Sequence, residues 1–365
     1  MKTTIQTNKT IRNPHNFVPD RFEPRVIAIV GGKGSMRRRT AEEFFKDGYQ
    51  VRLTGEEPLA EIGPTRPKDW KRAVRRWNEN VCRDADVVVF AVPIPLLSEA
   101  DGLSRIFGHT PPRGWRNKLV IDICSTKTGP TQVLSELKGA TVIGTHPMFG
   151  PKVKSLAGQT VFVCPVVPAN GNRVLQARLA VRLEWLNHFW NRRGVHVVDI
   201  GPDEHDTFMP AVQFGVLLSV LLYGEGLRQT GAALKHVQQR GTPNSRALCA
   251  RFARMLSPAM LATYVNLAFD NPHNRKWLEI AIESLSRLQS WIKAGDRAAL
   301  ATWIQELADF QPSSFRDHFA DAAGFQDECF AKREFLAACL SNEAAVRLAL
   351  NSSPDKSDAA NLRAA

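Results

Sequence analysis

The chain has 365 residues, of which 44% are hydrophobic, and this is enough for two packed domains of a globular protein. The polar stretch 1–16 lacks the hydrophobic segment of a signal peptide, and no uninterrupted apolar run reaches the roughly 20 residues of a membrane span. We therefore expect a cytoplasmic protein that has no membrane partner.

The net charge of +12 raises the question of a nucleic-acid partner. The basic residues are dispersed, however, and their clusters are short, as at 37–39. A positive field also attracts small anions such as a dinucleotide or a dicarboxylate. The six cysteines form no Cys-x-x-Cys pair, and no group of histidines and carboxylates has the spacing of metal ligands. We predict reduced thiols, no metal site and no nucleic-acid partner.

The first 200 residues predict an extended arm followed by a sheet domain. Residues 1–24 combine polar residues and prolines without a period, as in an extended arm. From residue 25, β-branched and apolar runs alternate with helical patterns, which is typical of a doubly wound parallel sheet. The predicted strands are 26–30, 50–53, 86–92, 119–123 and 141–143, and the predicted helices are 40–46 and 68–80. We assign 25–200 to a Rossmann-type dinucleotide-binding domain.

Long helical periods dominate after about residue 200. The predicted helices are 207–230, 248–269, 275–294 and 297–309. They carry more hydrophobic surface than one small bundle can bury, so we assign 201–340 to a helical substrate and dimerisation domain and expect a homodimer. Residues 341–365 are predicted to be a fraying tail. The fold class is α/β, an N-terminal Rossmann-type doubly wound sheet followed by an all-helical domain.

A glycine loop directly follows the first predicted strand. It comprises Gly31, Gly32, Gly34, Ser35 and Met36. Main-chain N–H groups and a helix dipole at such a loop can receive the pyrophosphate of a dinucleotide. The third glycine of the usual fingerprint is replaced by an arginine, so a plain strand-to-helix turn is the alternative interpretation.

The choice between NADP and NAD depends on the end of the second predicted strand, where an acidic residue normally binds the adenosine ribose. This chain has Thr54 there, and Glu56 lies too late. Cations that could bind a 2′-phosphate are Arg37, Arg38, Arg66 and Lys68. NADP is therefore favoured over NAD. Val92 and Pro93, at the end of another predicted strand, are also predicted to line the cofactor site.

Two polar segments follow neighbouring strands, 122–127 with Ser125 and 144–151 with His146. Ligands of open α/β sheets bind at the carboxyl edge of the strands, so a hydroxyl and an imidazole would face the nicotinamide there. Pro147 restricts the backbone of the histidine, and flanking glycines allow a ligand to approach closely.

These motifs resemble the prephenate/arogenate dehydrogenase family, and most of all the dehydrogenase part of the bifunctional enzyme that also contains chorismate mutase. The resemblance extends over about 25–319. The motifs that carry it are Gly-Gly-x-Gly-x-Met, Ser125-x-Lys127, His146-Pro-Met-Phe-Gly-Pro, and Glu204-His205-Asp206 with Met209 and Gln213.

The resemblance implies oxidative decarboxylation of a small cyclohexadienyl acid such as prephenate, with NAD(P) as hydride acceptor. His146 would be the hydrogen-bond acceptor or general base for the ring hydroxyl. Ser125 would orient this pair, whereas Lys127 would either stabilise anions or form a structural salt bridge. His205 and Gln213 are implied at the substrate.

Two positions depart from the family pattern. The family's arginine for a substrate carboxylate falls at Asn266, and its second histidine of the helical domain falls at Leu217. Arg275 could supply the missing charge from a shifted position. Alternatively, the substrate is arogenate or 4-amino-4-deoxyprephenate, or the chain binds a dinucleotide without turnover.

Overall fold

The computed structural model describes residues 21–31, 34–54, 70–108, 114–167, 173–255 and 258–310. The chain divides into two compact units between Met209 and Pro210. The sequence placed this boundary at residue 200. The difference arises because the helix Pro202–Met209 is hydrogen-bonded into the first unit, where Asp206 accepts the backbone N–H of Thr128 at 2.8 Å.

The first unit is built on a seven-stranded sheet. Its strands are β1 (Val26–Val30), β2 (Gln50–Leu53), β3 (Val87–Phe90), β4 (Leu119–Asp122), β5 (Thr141–Pro147), β6 (Thr160–Pro165) and β7 (His196–Asp199). Their order across the sheet is β2-β1-β3-β4-β5-β6-β7, and the first five are mutually parallel. β6 is antiparallel to β5 and parallel to β7. The strand order reverses between β1 and β3, where doubly wound sheets open a crevice at the carboxyl ends of their strands.

Helices cover both faces of this sheet, as the alternating side chains of a strand require. Ala28 and Val30 of β1 join the hydrophobic core on one face, whereas Ile27 and Ile29 join the core on the other face. The helices of this unit are α1 (Ser35–Lys46), α2 (Trp70–Arg83), α3 (Pro95–Ser98), α4 (Gly102–Phe107), α5 (Thr128–Leu134), α6 (Arg173–Asn191) and α7 (Pro202–Met209).

The second unit is helical throughout its described part. A π-helical turn, Pro210–Phe214, precedes α8 (Gly215–Thr230), α9 (Leu234–Arg240), α10 (Pro243–Met255), α11 (Pro258–Phe269), α12 (Asn274–Ala294) and α13 (Arg297–Asp309). Small residues allow these helices to pack closely. A Cβ at Gly224 would lie 2.2 Å from the ring of Phe252, and one at Gly215 would lie 2.7 Å from the ring of Trp277.

The predicted fold class is confirmed, and each predicted strand exists: 26–30 and 50–53 have the predicted bounds, and the other three have ends shifted by one to four residues. The strands β6 and β7 and the helices α3, α4, α5, α6 and α9 were missed. Predicted strand 141–143 is longer because β6 pairs with Ile143–Pro147 and extends it. The single helix predicted over 248–269 is two helices, α10 and α11. The predicted tail 341–365 and most of the predicted arm 1–24 lie outside the described residues.

One helical stretch, Pro202–Thr230, has the length and apolar composition of a membrane-spanning helix, and 33% of its most apolar part is buried. Core helices of proteins that cross no membrane have the same properties. This stretch begins with the acidic residues Asp203 and Glu204 and contains the buried His205. We interpret it as a helix that packs within the protein.

The close contact between the ends of β1 and β3 gives a prediction about stability. A Cβ at Gly31 would lie 2.4 Å from the carbonyl oxygen of Ala91, whereas one at Gly34 would have no atom within 4 Å. Gly31→Ala should lower the free energy of unfolding by about 1–3 kcal/mol, because the backbone must shift. Gly34→Ala, the control, should cost no more than about 1 kcal/mol. Urea denaturation measures both, and equal midpoints would contradict the prediction.

Candidate active site

The glycine loop lies at the carboxyl end of β1. Gly34 precedes the first turn of α1 with an extended backbone, and it is exposed, as is Ser35. The open space beside Gly34 leaves room for a phosphate group at the N-terminus of α1, where N–H groups lack helical partners. Met36 is half-buried in the first turn. Gly32 lies outside the described residues.

Arg37 is buried and fixed at the end of β2. Its Nη1 donates a hydrogen bond to the carbonyl oxygen of Thr54 at 2.9 Å. Thr54 is itself fully buried, so its backbone positions the arginine. A cation therefore occupies the place where an acidic residue would bind the ribose. Of the other predicted cations, Arg38 is exposed, whereas Arg66 and Lys68 lie outside the described residues.

The next two strands bring further predicted residues to the same edge of the sheet. Val92 and Pro93 follow β3, and the carbonyl oxygen of Val92 accepts a weak hydrogen bond from Sγ of Cys124 at 3.8 Å. Ser125 follows β4 and is half-buried, and its hydroxyl makes no hydrogen bond to another described residue. This hydroxyl is therefore available to a ligand at the carboxyl edge.

His146 lies inside β5, opposite Phe162 of β6, and not in the turn after the strand that the sequence predicted. The antiparallel pairing with β6 is the reason, since it keeps the backbone extended as far as Pro147. The side chain is 5% exposed. Its Nδ1 atom lies 3.0 Å from Nε2 of His205 on α7.

His205 joins His146 to a carboxylate. Nδ1 of His205 donates to Oδ1 of Asp206 at 2.8 Å. The same carboxylate accepts the backbone N–H of Lys127 at 2.7 Å and, through Oδ2, that of Thr128 at 2.8 Å. Asp206 therefore satisfies two N–H groups at the start of α5, of which that of Lys127 is buried and would otherwise lack a partner. A chain of hydrogen bonds, called the histidine line below, runs from the start of α5 through Asp206 and His205 to His146.

Lys127 forms a salt bridge, which is one of the two roles that the sequence left open for it. Its ammonium group is fully buried, forms an ion pair with Asp122, and donates to the carbonyl oxygen of Thr145 at 2.7 Å. Gly144 leaves space for this pair, since a Cβ there would lie 3.0 Å from Cδ of Lys127. The ammonium of Lys127 is thus held by Asp122 and Thr145, and a direct part in catalysis stays a prediction.

Burial and hydrogen bonding set the pKa values, and hence the charges, of His146, His205 and Asp206 in the histidine line. Burial lowers the pKa of His146 well below 6.5, and the neighbouring His205 and Lys127 lower it further. Burial also lowers the pKa of His205, although Asp206 opposes this. For Asp206, burial alone would raise the pKa, but hydrogen bonds from His205, Thr128 and Lys127 bring it below its usual value. At neutral pH the line therefore contains two neutral imidazoles and one carboxylate.

The residues predicted at the substrate from the helical half belong to the second unit. Gln213 is half-buried in the π-helical turn, and Leu217 is buried in α8. Asn266 is half-buried in α11, and its carbonyl oxygen accepts the N–H of Asp270 at 2.8 Å. Arg275 is exposed at the start of α12.

Asp206 and Asp122 were not predicted as site residues. The signal for Asp206 was present, because Glu204-His205-Asp206 was singled out as a motif, but only His205 was assigned to the site. In the structure, Asp206 forms a hydrogen bond with the ring of His205.

Comparison with known proteins shows that the chain is similar to dehydrogenases. A family model described as prephenate dehydrogenase, nucleotide-binding domain, matches residues 71–198, which contain Ser125 and His146. A probable arogenate/prephenate dehydrogenase from Methanocaldococcus jannaschii is 25% identical over 287 residues, 77% of this chain and 60% of that protein. The T-protein of Enterobacter agglomerans is 25% identical over 320 residues, 87% of this chain and 75% of that protein. The chain thus spans less than two thirds of the first relative.

Solved structures show the same fold. A prephenate dehydrogenase from Aquifex aeolicus, in complex with hydroxyphenyl propionate and NAD+, has a TM-score of 0.55 at 18% identity, covering 79% of this chain and 97% of that one. Synechocystis arogenate dehydrogenase has a TM-score of 0.51 at 16% identity, covering 80% and 99%.

The buried ion pair beside the site gives a second prediction. Lys127→Met leaves the carboxylate of Asp122 buried without its counter-ion, so the free energy of unfolding should fall by about 3–5 kcal/mol. Replacing Asp122 by Asn as well should recover much of this loss, because the unpaired charge is then absent. The control Lys138→Met removes an exposed ammonium and should change stability by no more than about 0.5 kcal/mol. Urea denaturation at pH 7 tests this, and a loss no larger than that of the control would contradict it.

Proposed function

We propose that this chain belongs to the prephenate/arogenate dehydrogenase family and is a nicotinamide-dependent oxidoreductase that converts a cyclohexadienyl acid of the prephenate type into an aromatic product. The observation that carries the proposal is the placement of His146. It lies at the carboxyl end of β5, on the neighbouring strand to the one that Ser125 follows, and its ring is joined to a buried carboxylate through His205. This arrangement supplies a neutral base and a hydroxyl at the edge where such sheets bind ligands.

The residues present fit a dinucleotide cofactor. Gly34 leaves open space at the N-terminus of α1, which a Cβ would begin to fill, and the N–H groups there favour an anionic pyrophosphate. The buried guanidinium of Arg37 at the end of β2 supports NADP over NAD, because no carboxylate among the described residues takes that place. When bound, the nicotinamide would accept the hydride that leaves the ring carbon bearing the substrate hydroxyl.

The chain's own residues manage the proton and the orientation of the substrate. As the hydride departs, the hydroxyl of that carbon loses its proton to the imidazole of His146. The bond from the opposite ring carbon to its carboxylate breaks, carbon dioxide leaves, and the released electron pair completes the aromatic ring. Ser125 orients the hydroxyl by a hydrogen bond. The buried surroundings of His146 keep it unprotonated and ready to accept.

The identity of the substrate rests on the second unit. Asn266 and Leu217 stand at the sequence positions of the family's arginine and second histidine, and Leu217 is buried in α8. Each hydrogen bond to a charged group contributes about 1.5–3 kcal/mol, so their loss weakens binding of prephenate unless another group compensates. The exposed Arg275 is one such group. Otherwise the substrate is arogenate, which carries an amino group on its side chain, or 4-amino-4-deoxyprephenate, which carries one in place of the ring hydroxyl.

We also propose a homodimer through the helical unit. Leu278, Ile282, Leu285 and Ile292 of α12 follow a spacing of four, three and seven residues, which places them on one helical face, and they are between 41% and 65% exposed. A face of this kind on a single chain marks an interaction surface, and a second copy of the chain would offer the same apolar face. A cytoplasmic location stays a prediction from the sequence.

The activity is tested directly. The purified protein with prephenate, arogenate or the 4-amino analogue, each with NAD+ and NADP+, should produce the absorbance of reduced nicotinamide with at least one pair. His146→Asn should lower kcat/KM by about 10²–10⁴-fold, the contribution of a general base, while cofactor binding by calorimetry is retained. His188→Asn, at an exposed histidine, is the control. Cofactor binding without turnover of any substrate would favour a non-catalytic protein.

The pH dependence of the reaction follows from the lowered pKa of His146. The base works unprotonated, so a pKa well below 6.5 keeps it active at neutral pH, and kcat/KM should fall only when the pH drops below about 6.5. The charged and titratable groups facing it are His205 on α7 and Lys127, whose ammonium is paired with Asp122. An acid limb with its midpoint at or above 6.5 would contradict this assignment.

The dimer is tested by Ile282→Asp, which places a carboxylate in the middle of the exposed face of α12. Sedimentation equilibrium should give twice the mass of one chain for the unmodified protein and a mass shifted towards one chain for the variant, because burying an unpaired charge at an interface is costly. Lys138→Asp introduces the same side chain on the first unit and should leave the mass unchanged. A monomeric unmodified protein would overturn the proposal.

A further inference from the structure

We propose that His205 and Asp206 are positioning residues that set the tautomer of His146, so that its Nδ1 carries the proton and its Nε2 carries the lone pair that receives the substrate proton. This inference deepens the proposed function and rests on it for the role of His146. The assignment of the tautomer, however, follows from hydrogen bonds within the protein and can be tested without substrate.

The first step concerns Asp206, which serves only as an acceptor. Its two oxygens receive the backbone N–H groups of Lys127 and Thr128, and neither N–H can be an acceptor. Oδ1 also faces Nδ1 of His205 at 2.8 Å. Because an ionised carboxylate has no proton to donate, Nδ1 of His205 must carry the proton of this bond.

The second step passes along the ring of His205. A neutral imidazole has one N–H, so a proton on Nδ1 leaves Nε2 with a lone pair. Nε2 of His205 lies 3.0 Å from Nδ1 of His146. Two lone pairs at this distance would repel each other, so Nδ1 of His146 must donate. Its Nε2 then has no proton, as a general base requires.

The residues packed around His205 hold its ring in one orientation. The side chain is fully buried, and the ring of Phe162 packs edge-on against it with a centroid distance of 5.3 Å. A flip of the ring would break the hydrogen bonds at both ring nitrogens inside an enclosed site, where an unpaired polar group is costly. Packing and hydrogen bonding therefore fix the same orientation.

The arrangement also stabilises the product of proton transfer. When His146 accepts the substrate proton at Nε2, the new positive charge is shared with Nδ1, whose N–H already points at His205. His205 remains hydrogen-bonded to the carboxylate of Asp206, which supplies a negative charge one ring away. The ammonium of Lys127 opposes this effect, since it lowers the pKa of His146, but its ion pair with Asp122 weakens that opposition. A carboxylate that orients a catalytic histidine acts in the same way in hydrolases.

The decisive variant is Asp206→Asn, which keeps the shape of the side chain but replaces one acceptor by a donor. If the amide NH₂ faces His205, that ring must accept at Nδ1 and carry its proton on Nε2, and His146 is then driven to the tautomer with its proton on Nε2. Two-bond 15N–1H correlation NMR of the protein alone should therefore show His146 protonated on Nδ1 in the unmodified protein and a shift towards Nε2 in the variant. The spectrum of His146→Asn identifies the signals.

Activity gives an independent readout. Asp206→Asn should lower kcat by at least about tenfold, within the 10²–10⁴-fold that a general base contributes, with little change in cofactor affinity. Asp203→Asn, an exposed acid on the same helix, is the matched control and should leave both kcat and tautomer unchanged.

A second pair of variants keeps the inference testable if Asp206→Asn fails to fold. The amide of His205→Gln can reach the place of Nε2 and offer an oxygen to His146, whereas the amide of His205→Asn reaches only towards Asp206. His205→Gln should therefore retain more activity than His205→Asn. The reverse order, or an unmodified protein in which His146 carries its proton on Nε2, would overturn the inference while leaving the proposed function intact. The predicted tautomer without turnover of any substrate would instead reject the proposed function.

Discussion

The carboxylate of Asp206 is the interaction on which the site depends. It accepts hydrogen bonds from the two N–H groups at the start of α5 and from the ring of His205, so one side chain joins α7, the loop after β4 and the histidine of β5. The bonds to Lys127 and His205 are buried and the bond to Thr128 is partly buried, and a buried group without a partner costs about 1–3 kcal/mol. The carboxylate therefore fixes α7 on the sheet domain and gives His146 its orientation with the same three bonds.

A second carboxylate holds the other end of the same loop. Asp122, the last residue of β4, accepts the N–H of Cys124 at 2.9 Å and pairs with the ammonium of Lys127. Ser125 lies between these contacts and the bonds from Asp206, so its backbone is held from both sides while its side chain stays half-buried. A hydroxyl fixed in this way loses little freedom when a ligand binds, which is the advantage of a preorganised site.

The sequence predicted the parts of this arrangement that depend on local pattern. The apolar run of β1, the glycines after it, and the polar segments around Ser125 and His146 follow from period and chain order. The buried partners do not, because Asp122 and Lys127 lie five residues apart and Asp206 reaches residues nearly 80 positions away. An exposed acid and a buried acid look alike in a sequence, and only the packing decides which one has its charge compensated. The strands β6 and β7 were missed for the same reason, since they are defined by their pairing with other strands.

In the proposed function, the residues assigned to proton transfer and those assigned to the substrate side chain belong to different units of the chain. Every residue of the proposed proton path belongs to the first unit, whereas the departures from the family pattern, Asn266 and Leu217, belong to the second. The base needs only burial and a fixed tautomer, and these are supplied by groups within the sheet domain. In the proposed function, a changed side chain such as that of arogenate alters the charges that the substrate presents but leaves the ring hydroxyl that loses its proton, whereas 4-amino-4-deoxyprephenate would present an amino group at that carbon. The proposed proton path therefore suits prephenate and arogenate alike.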